Sequence, residues 1–261
     1  MSEFDPWAIY YDLIHTGLPD EAEFYAGLAV THGGPVLELG CGTGRIAILL
    51  AMSGLDVTGM DNSPPMLEVC SEKLAQAAPV SGRLHLVEGD MRDFELGQRF
   101  PLALMTYRTF MHCLTPEEQL ACLACIYRHL EPGGELVCNL WAAHPGTLAR
   151  FPTAYDENTF QMVGKTPIPG EGLLLEHMHT AWRDDFLQLL HERHWLREVD
   201  PEGRLAHEEQ LRMTRAWLTP REMEHLVARA GFTTLAVLGD FTGTSLGPEH
   251  TEMVWRLLKP A

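Results

Sequence analysis

Apolar positions along the chain follow two rhythms. In the first half, short runs of consecutive apolar residues alternate with segments in which they recur every three or four positions. The runs at Pro35 to Leu39, Leu55 to Met60, Arg83 to Glu88, Pro101 to Tyr107 and Glu135 to Trp141 predict five strands. Strands alternating with amphipathic helices are the pattern of a parallel sheet flanked by helices. Ser63 ahead of Pro64 and Pro65 reads as an N-cap, opening a helix that turns Met66, Val69, Cys70 and Leu74 inward. Thr115, Pro116 and Glu118 read as a capping box, followed by Leu120, Leu123, Tyr127 and Leu130 on one face.

After residue 142 the rhythm changes. FPTAYDENTFQMVGKTPIPGEG is rich in Pro, Gly and polar residues and reads as an excursion from the core. Three strand-like stretches follow, about Leu173 to Arg183, Phe186 to Val199 and Arg204 to Trp217, divided by Asp184-Asp185 and by DPEG; together they predict an antiparallel meander. Thr219, Pro220 and Glu222 form another capping box, for a helix that stops at Gly231, and two closing strands, about Thr233 to Gly239 and Glu252 to Leu258, bracket DFTGTSLGPEH. The expectation is one α/β domain over residues 1–261, a doubly wound sheet, with residues 143–217 as a β-rich insertion serving as lid or assembly surface.

Composition narrows the class without choosing a function. With 46% hydrophobic and 21% charged residues, neither disorder nor a membrane class is indicated. No uncharged stretch approaches the roughly 18 apolar residues of a membrane-spanning helix, and the start MSEFDP is acidic where a signal peptide is basic. A soluble, cytoplasmic protein is expected, with no membrane partner. The formal net charge of -17 argues against nucleic acid, since phosphate binding needs a basic face. Of the six cysteines only Cys122 and Cys125 form a CxxC, inside a helical segment and with no second pair; buried thiols in a reducing compartment are expected rather than a metal or redox centre.

The chemistry starts at VLELGCGTGR, residues 36–45. Gly40, Gly42 and Gly44 occupy the turn after the first strand, the place where open α/β sheets bind ligands. Without Cβ atoms the backbone can take positive φ and approach a ligand closely. A dinucleotide oxidoreductase uses a related turn, but the spacing here is G-x-G-x-G, and Glu38 inside the strand would serve a pyrophosphate poorly. Asp61, about 20 residues on, can accept from both hydroxyls of a ribose. Gly89-Asp90-Met91 places a carboxylate and a flexible apolar side chain where an adenine could be gripped.

VLELGCGTGR, VTGMDNS, EGDMRDF and LEPGGEL resemble, in order and spacing, the successive motifs of class I S-adenosylmethionine-dependent methyltransferases over residues 36 to 141. LTPREMEHLVARAGF and GDF resemble the final helix and strand ends of small-molecule members. The resemblance implies a Rossmann-like, doubly wound seven-stranded sheet whose last strand is antiparallel, and S-adenosylmethionine lying across the ends of strands one to four. It implies that Gly40, Gly42 and the backbone near Cys41 contact the methionine portion, with Glu38 close to its amino group. Asp61 would hold the ribose, Asn62 and Met66 would flank the adenine, Asp90 would accept from the adenine amino group, and Met91 would cover the ring. The plain alternative for each is a capping or turn residue.

On the acceptor side, WAIYYDLIH resembles a leading helix that closes over the cofactor, with Tyr11 rather than Tyr10 expected to face the site. Arg108, in YRTFMHCLT, offers a planar fork for a carboxylate, or simply pairs with an acidic neighbour. His112, in the same stretch, is the candidate general base because imidazole is the usual side chain for that role, or else it bridges backbone at a helix start. Trp141 would wall the pocket or pack in the core. His177 and His179 share a strand face, as do residues two apart generally, but no metal is assigned to them; this surface, with His191, His194, Trp182 and Trp195, is expected to shape the acceptor pocket or to pair two copies into a homodimer. The expected function is methyl transfer to a small-molecule acceptor, nitrogen preferred over oxygen. The alternatives are a non-catalytic cofactor-binding sensor or scaffold and an NAD-dependent oxidoreductase.

Overall fold

A computed structural model describes residues 2–77 and 80–261. The sheet strands are β1 (Val36–Leu39), β2 (Asp56–Asp61), β3 (Arg83–Glu88), β4 (Phe100–Met105) and β5 (Leu130–Trp141). A second set follows in β6 (Gln161–Pro167), β7 (Leu174–Asp184), β8 (Leu189–Val199) and β9 (Leu205–Ala216), and the chain closes with β10 (Thr233–Leu238) and β11 (Glu252–Leu258). The helices are α1 (Tyr11–Ile14), α2 (Glu21–His32), α3 (Arg45–Met52), α4 (Pro64–Gln76), α5 (Pro116–His129), α6 (Pro145–Leu148) and α7 (Pro220–Arg229).

The main sheet has seven strands in the order β10-β11-β5-β4-β1-β2-β3. The pairs β1–β2, β1–β4, β2–β3 and β4–β5 are parallel, whereas β11 is antiparallel to both β5 and β10, so β11 alone runs against the rest. Chain order reverses between β1 and β4, which puts a crevice at the carboxyl ends of β1, β2 and β4. β1 is buried at all four positions, as a central strand covered on both faces must be.

The helix boundaries obey their caps, with one revision. Ser63 accepts from the Met66 amide, and the Thr219–Glu222 box is reciprocal. At Thr115 only half of the box forms: its hydroxyl accepts from the Glu118 amide, but Glu118 turns to the Leu114 amide at 2.7 Å and to Arg92 instead. Gly231, with φ +92°, ends α7 in the left-handed region.

The insertion is a four-stranded antiparallel sheet, β6-β7-β8-β9, one strand more than the meander expected from sequence. Its additional strand, β6, is an edge with mostly exposed residues, so it carries no apolar run to announce it. One face of this sheet packs Leu175, Leu196, Leu211 and Met213 against Trp7, Tyr10 and Met66. The amino-terminal segment is thereby held between the insertion and α4. A further clasp comes from Asp12, which accepts from Thr43 and from Lys73, each at 2.6 Å, and so ties α1 to the glycine turn. Trp182 and Trp195 lie on the opposite face, Trp182 stacked on His191 and Trp195 donating to Glu208.

Candidate active site

The crevice is enclosed by the amino-terminal segment and the insertion into a cavity of about 330 Å³. That is within the range of small-molecule sites. One end is formed by Gly40, Gly42, Asp61, Asn62, Met66 and the Gly89–Met91 turn; the other by Tyr11, His15, Tyr107, Arg108 and, from the insertion, Glu192, His194, Met213 and Arg215.

The three glycines do different things. All have positive φ, which an L side chain adopts only with strain. A Cβ on Gly40 would lie 2.5 Å from Thr109 Cγ2, and one on Gly44 would lie 2.2 Å from Cys70 Sγ, so these two let the turn pack against neighbouring elements. A Cβ on Gly42 would meet nothing within 4 Å. Gly42 therefore presents bare backbone to the cavity, a cradle that a methyl group would fill.

Asp61 stands at the end of β2 and anchors the same turn, accepting from the Gly42 amide at 2.8 Å and from the Ser63 amide at 2.9 Å. Burial pushes its carboxyl above the usual range, against the pull of those amides. A carboxylate has about four lone-pair sites, so two remain for hydroxyls of a ligand. Asn62 is at the rim, accepting from the Ser2 hydroxyl at 2.8 Å, and Met66 lies beneath it. Asp90 lines the cavity but is chelated by Arg92, whose guanidinium holds its carboxyl below the usual range; Nη2 donates to Oδ2 at 2.6 Å. Met91 also borders the cavity. Gly42, Asp61, Asn62 and Met66 thus supply the bare backbone, the hydroxyl acceptor and the apolar surface that a nucleoside with an amino-acid tail needs.

Two residues assigned to that ligand stand behind the wall rather than in it. Glu38 is fully buried under the turn and accepts from the Thr106 hydroxyl at 2.9 Å; burial pushes its carboxyl up to about 7. The Cys41 amide donates to the Met60 carbonyl at 3.0 Å, and its side chain packs in the core beneath β2. Trp141 packs against Phe151, away from the cavity.

Tyr11 faces the cavity, and burial pushes its phenol well above its ordinary value, which keeps it protonated. Tyr10 is buried and donates to Glu198 at 2.8 Å. Arg108 borders the cavity, but its fork is taken by Glu252, with Nε donating at 3.1 Å. His112 lies at the rim against Phe4, with Nδ1 3.3 Å from a Glu3 carboxylate oxygen.

Sequence reading did not single out His15, Tyr107, Glu192 or Arg215. Tyr107 and Arg108 both have positive φ, held by a hydrogen bond from the Arg108 amide to Asn139 at 3.1 Å. Strain at two consecutive non-glycine residues is an expense met at functional turns, and no residue type signals it. His15 carries a hint, standing four residues after Tyr11 as the residue that caps the end of α1.

The fold and the cavity define a Rossmann-like methyltransferase domain. A family model described as a methyltransferase domain matches residues 36–134. The chain is 36% identical over 137 residues to the cypemycin N-terminal methyltransferase of a Streptomyces species, covering 51% of this chain and 54% of that protein. It spans about half the length of the curated relatives matched in this way. Over a longer span, 90% of this chain and 87% of the other, it is 28% identical to the dTDP-3-amino-3,6-dideoxy-alpha-D-glucopyranose N,N-dimethyltransferase of Streptomyces fradiae. The solved structure of the CcbJ methyltransferase from Streptomyces caelestis superposes with a TM-score of 0.81 at 25% identity, covering 100% of this chain and 99% of that one. Residues 36–134 are thus a methyltransferase domain, and the chain as a whole shares the fold of a solved methyltransferase; S-adenosylmethionine is the methyl donor that this likeness supports.

Proposed function

We propose that this protein transfers a methyl group to the nitrogen of a small-molecule amine. The observation that carries the reading is the bare Gly42 backbone facing a partly enclosed cavity whose other end is largely polar, with Glu192, His194 and Arg215 coming from a separate sheet. S-adenosylmethionine, when bound, supplies a methyl group on a sulfonium centre. Asp61 is the residue assigned to the ribose hydroxyls, Asn62 and Met66 to the adenine edge and face, and Gly42 to the methionine portion. Asp90 would release part of its Arg92 contact to take the adenine amino group, with Met91 covering the ring.

The protein's remaining task is to hold a neutral amine in line with the methyl carbon, at about 3 to 3.5 Å, and to exclude water. The amino-terminal segment and the insertion screen the cavity from solvent, and the Tyr11 phenol, which borders it, is available to donate to a ligand. A neutral amine attacks through its free lone pair with no base, and the positive charge that it gains with the methyl group is lost later, with a proton to water. A hydroxyl acceptor would need a base first, and the proposed candidate, His112, lies at the rim beside Glu3. Two of the relatives above are, by name, an N-terminal and an amino-sugar N-methylating enzyme, which also favours nitrogen.

The test is calorimetric titration with S-adenosylhomocysteine and with NAD, followed by turnover against amines and alcohols. Tight binding of NAD alone would refute the reading. Turnover of alcohols but not amines would move the acceptor atom to oxygen, and binding of S-adenosylhomocysteine with no turnover on a broad panel of amines, alcohols, acids and thiols would favour a sensor or scaffold.

A further inference from the structure

The inner face of the insertion packs apolar side chains against the amino-terminal segment, takes the Tyr10 hydroxyl on Glu198 toward one end, and carries a second polar group at its centre. There His177 and His179 of β7, Glu192 and His194 of β8 and Arg215 of β9 form a polar island among Leu175, Leu190, Leu196, Leu211 and Met213. A sheet that served only as a lid would need no such residues, because burying polar groups costs free energy unless they are paired. Glu192 and His194 are almost inaccessible, 6% and 5% exposed, yet both line the cavity. His194 Nδ1 is fixed by His177 Nε2 at 2.8 Å, which leaves His194 Nε2 buried with no hydrogen-bond partner among the described residues. His15, from the amino-terminal segment at the same end of the cavity, is in the same condition: its Nδ1 lies 3.4 Å from the Tyr107 hydroxyl, while its Nε2 is buried with no hydrogen-bond partner among the described residues. Trp7 packs against both rings, at 4.6 Å from His194 and 5.9 Å from His15.

The charges in this part of the cavity are balanced. Arg215 Nη2 lies 2.6 Å from Glu192, and Arg108 is paired with Glu252. Burial pushes His15 and His177 down to about 4, and His194 lower still, so these rings are neutral at ordinary pH. Each neutral ring can donate or accept at the free nitrogen according to its tautomer. Ligand atoms of His179, Glu192 and His194 lie within 4.8 Å of one another, close enough to suggest a metal centre. Arg215 argues against it: Glu192 already has its counter-charge, and a divalent ion would face a guanidinium in a buried site.

We infer that this island, through the free nitrogens of His15 and His194, is an acceptor-binding site for an uncharged amine carried on a hydroxyl-rich body. The inference rests on the methyltransferase reading and adds to it the recognising residues and the acceptor chemistry. Hydroxyl groups complete the two unpartnered imidazoles without bringing a charge, whereas a bare hydrocarbon amine would leave both unsatisfied. Sites built to hydrogen-bond a hydroxyl reject analogues lacking it for this reason. His177 acts through His194 as a positioning residue, holding its ring and tautomer.

The experiment loads the full chain with S-adenosylhomocysteine and titrates free amino sugars bearing the amine at different ring positions, with cyclohexylamine as the hydroxyl-free control. At least one amino sugar is expected to bind tenfold or more tighter than cyclohexylamine. His194→Phe and His15→Phe, placed on separate elements, are each expected to erase that preference while S-adenosylhomocysteine affinity is kept; either one suffices should the other not fold. Equal or tighter binding of cyclohexylamine, or a preference surviving both substitutions, overturns the inference. So does stoichiometric zinc bound by the purified protein and lost in His179→Ala. Failure of wild-type protein to bind S-adenosylhomocysteine sinks the transferase reading itself, and is seen before any amine is added.

Discussion

Replacing each glycine of the turn by alanine separates ligand contact from packing. At Gly42 the new methyl meets no protein atom within 4 Å, so the folding penalty is only that of holding alanine at φ +52°. That strain is about 1 to 2 kcal/mol, a fall in Tm of several degrees at most for a chain this size. At Gly44 the methyl would stand 2.2 Å from Cys70 Sγ and 2.9 Å from Ile48 Cδ1, in a fully packed helix interface. Overpacking adds about 1 to 3 kcal/mol to the same strain, so Gly44→Ala is expected to lose about 2 to 5 kcal/mol. Affinity should follow the opposite order. A methyl in the ligand cradle costs about 1 to 3 kcal/mol of binding, roughly 5- to 150-fold in Kd. Thermal unfolding and calorimetry with S-adenosylhomocysteine on both variants give the two numbers. The reasoning fails if Gly42→Ala binds like wild type, or if it unfolds as readily as Gly44→Ala.

Asp61→Ala removes an acceptor that two backbone amides share with the proposed ribose, and should weaken S-adenosylhomocysteine by about 1 to 3 kcal/mol in calorimetry; an unchanged Kd would put the sugar elsewhere. Glu38, raised by burial to about 7, binds its proton more tightly when folded than unfolded, so its ionisation lowers stability as pH rises from about 4.5 to 7. Glu38→Gln should therefore flatten part of the pH dependence of Tm in that window and leave the protein up to about 3 kcal/mol more stable above pH 7, as denaturant unfolding would report. Arg108→Met strands Glu252 in a site that is 11% exposed, and should cost about 3 kcal/mol, with most of the loss recovered in the Arg108→Met, Glu252→Leu double variant. Equal destabilisation in single and double variants would show that Arg108 matters for something other than the pair.

The main sheet was legible because buried central strands must be runs of apolar residues, and the cofactor turn because bare backbone demands glycine. Even there the letters did not separate the roles: Gly40, Gly42 and Gly44 look alike in sequence, and only the neighbours Thr109 and Cys70 show which of them face protein. β6 was read as an excursion because an exposed edge strand has no face to bury. Glu118 was read as the partner of Thr115, but Arg92 and the Leu114 amide compete for it successfully. The acceptor wall was the least legible part. Arg108 and Glu252 are 144 positions apart, and Glu192 reaches the cavity only because the insertion folds back over the carboxyl ends of the main sheet. His194 was visible as one of several histidines in a meander; its unpartnered nitrogen is a property of the packed sheet.

The central claim is that the cavity over Gly42 and Asp61 holds S-adenosylmethionine. A structure of the protein crystallised with S-adenosylhomocysteine tests it most directly. The account predicts amino-acid tail density against Gly42, ribose hydroxyls on Asp61 and open space between the sulfur and His194. A ligand bound elsewhere, or a thioether pointing away from the insertion, would contradict it.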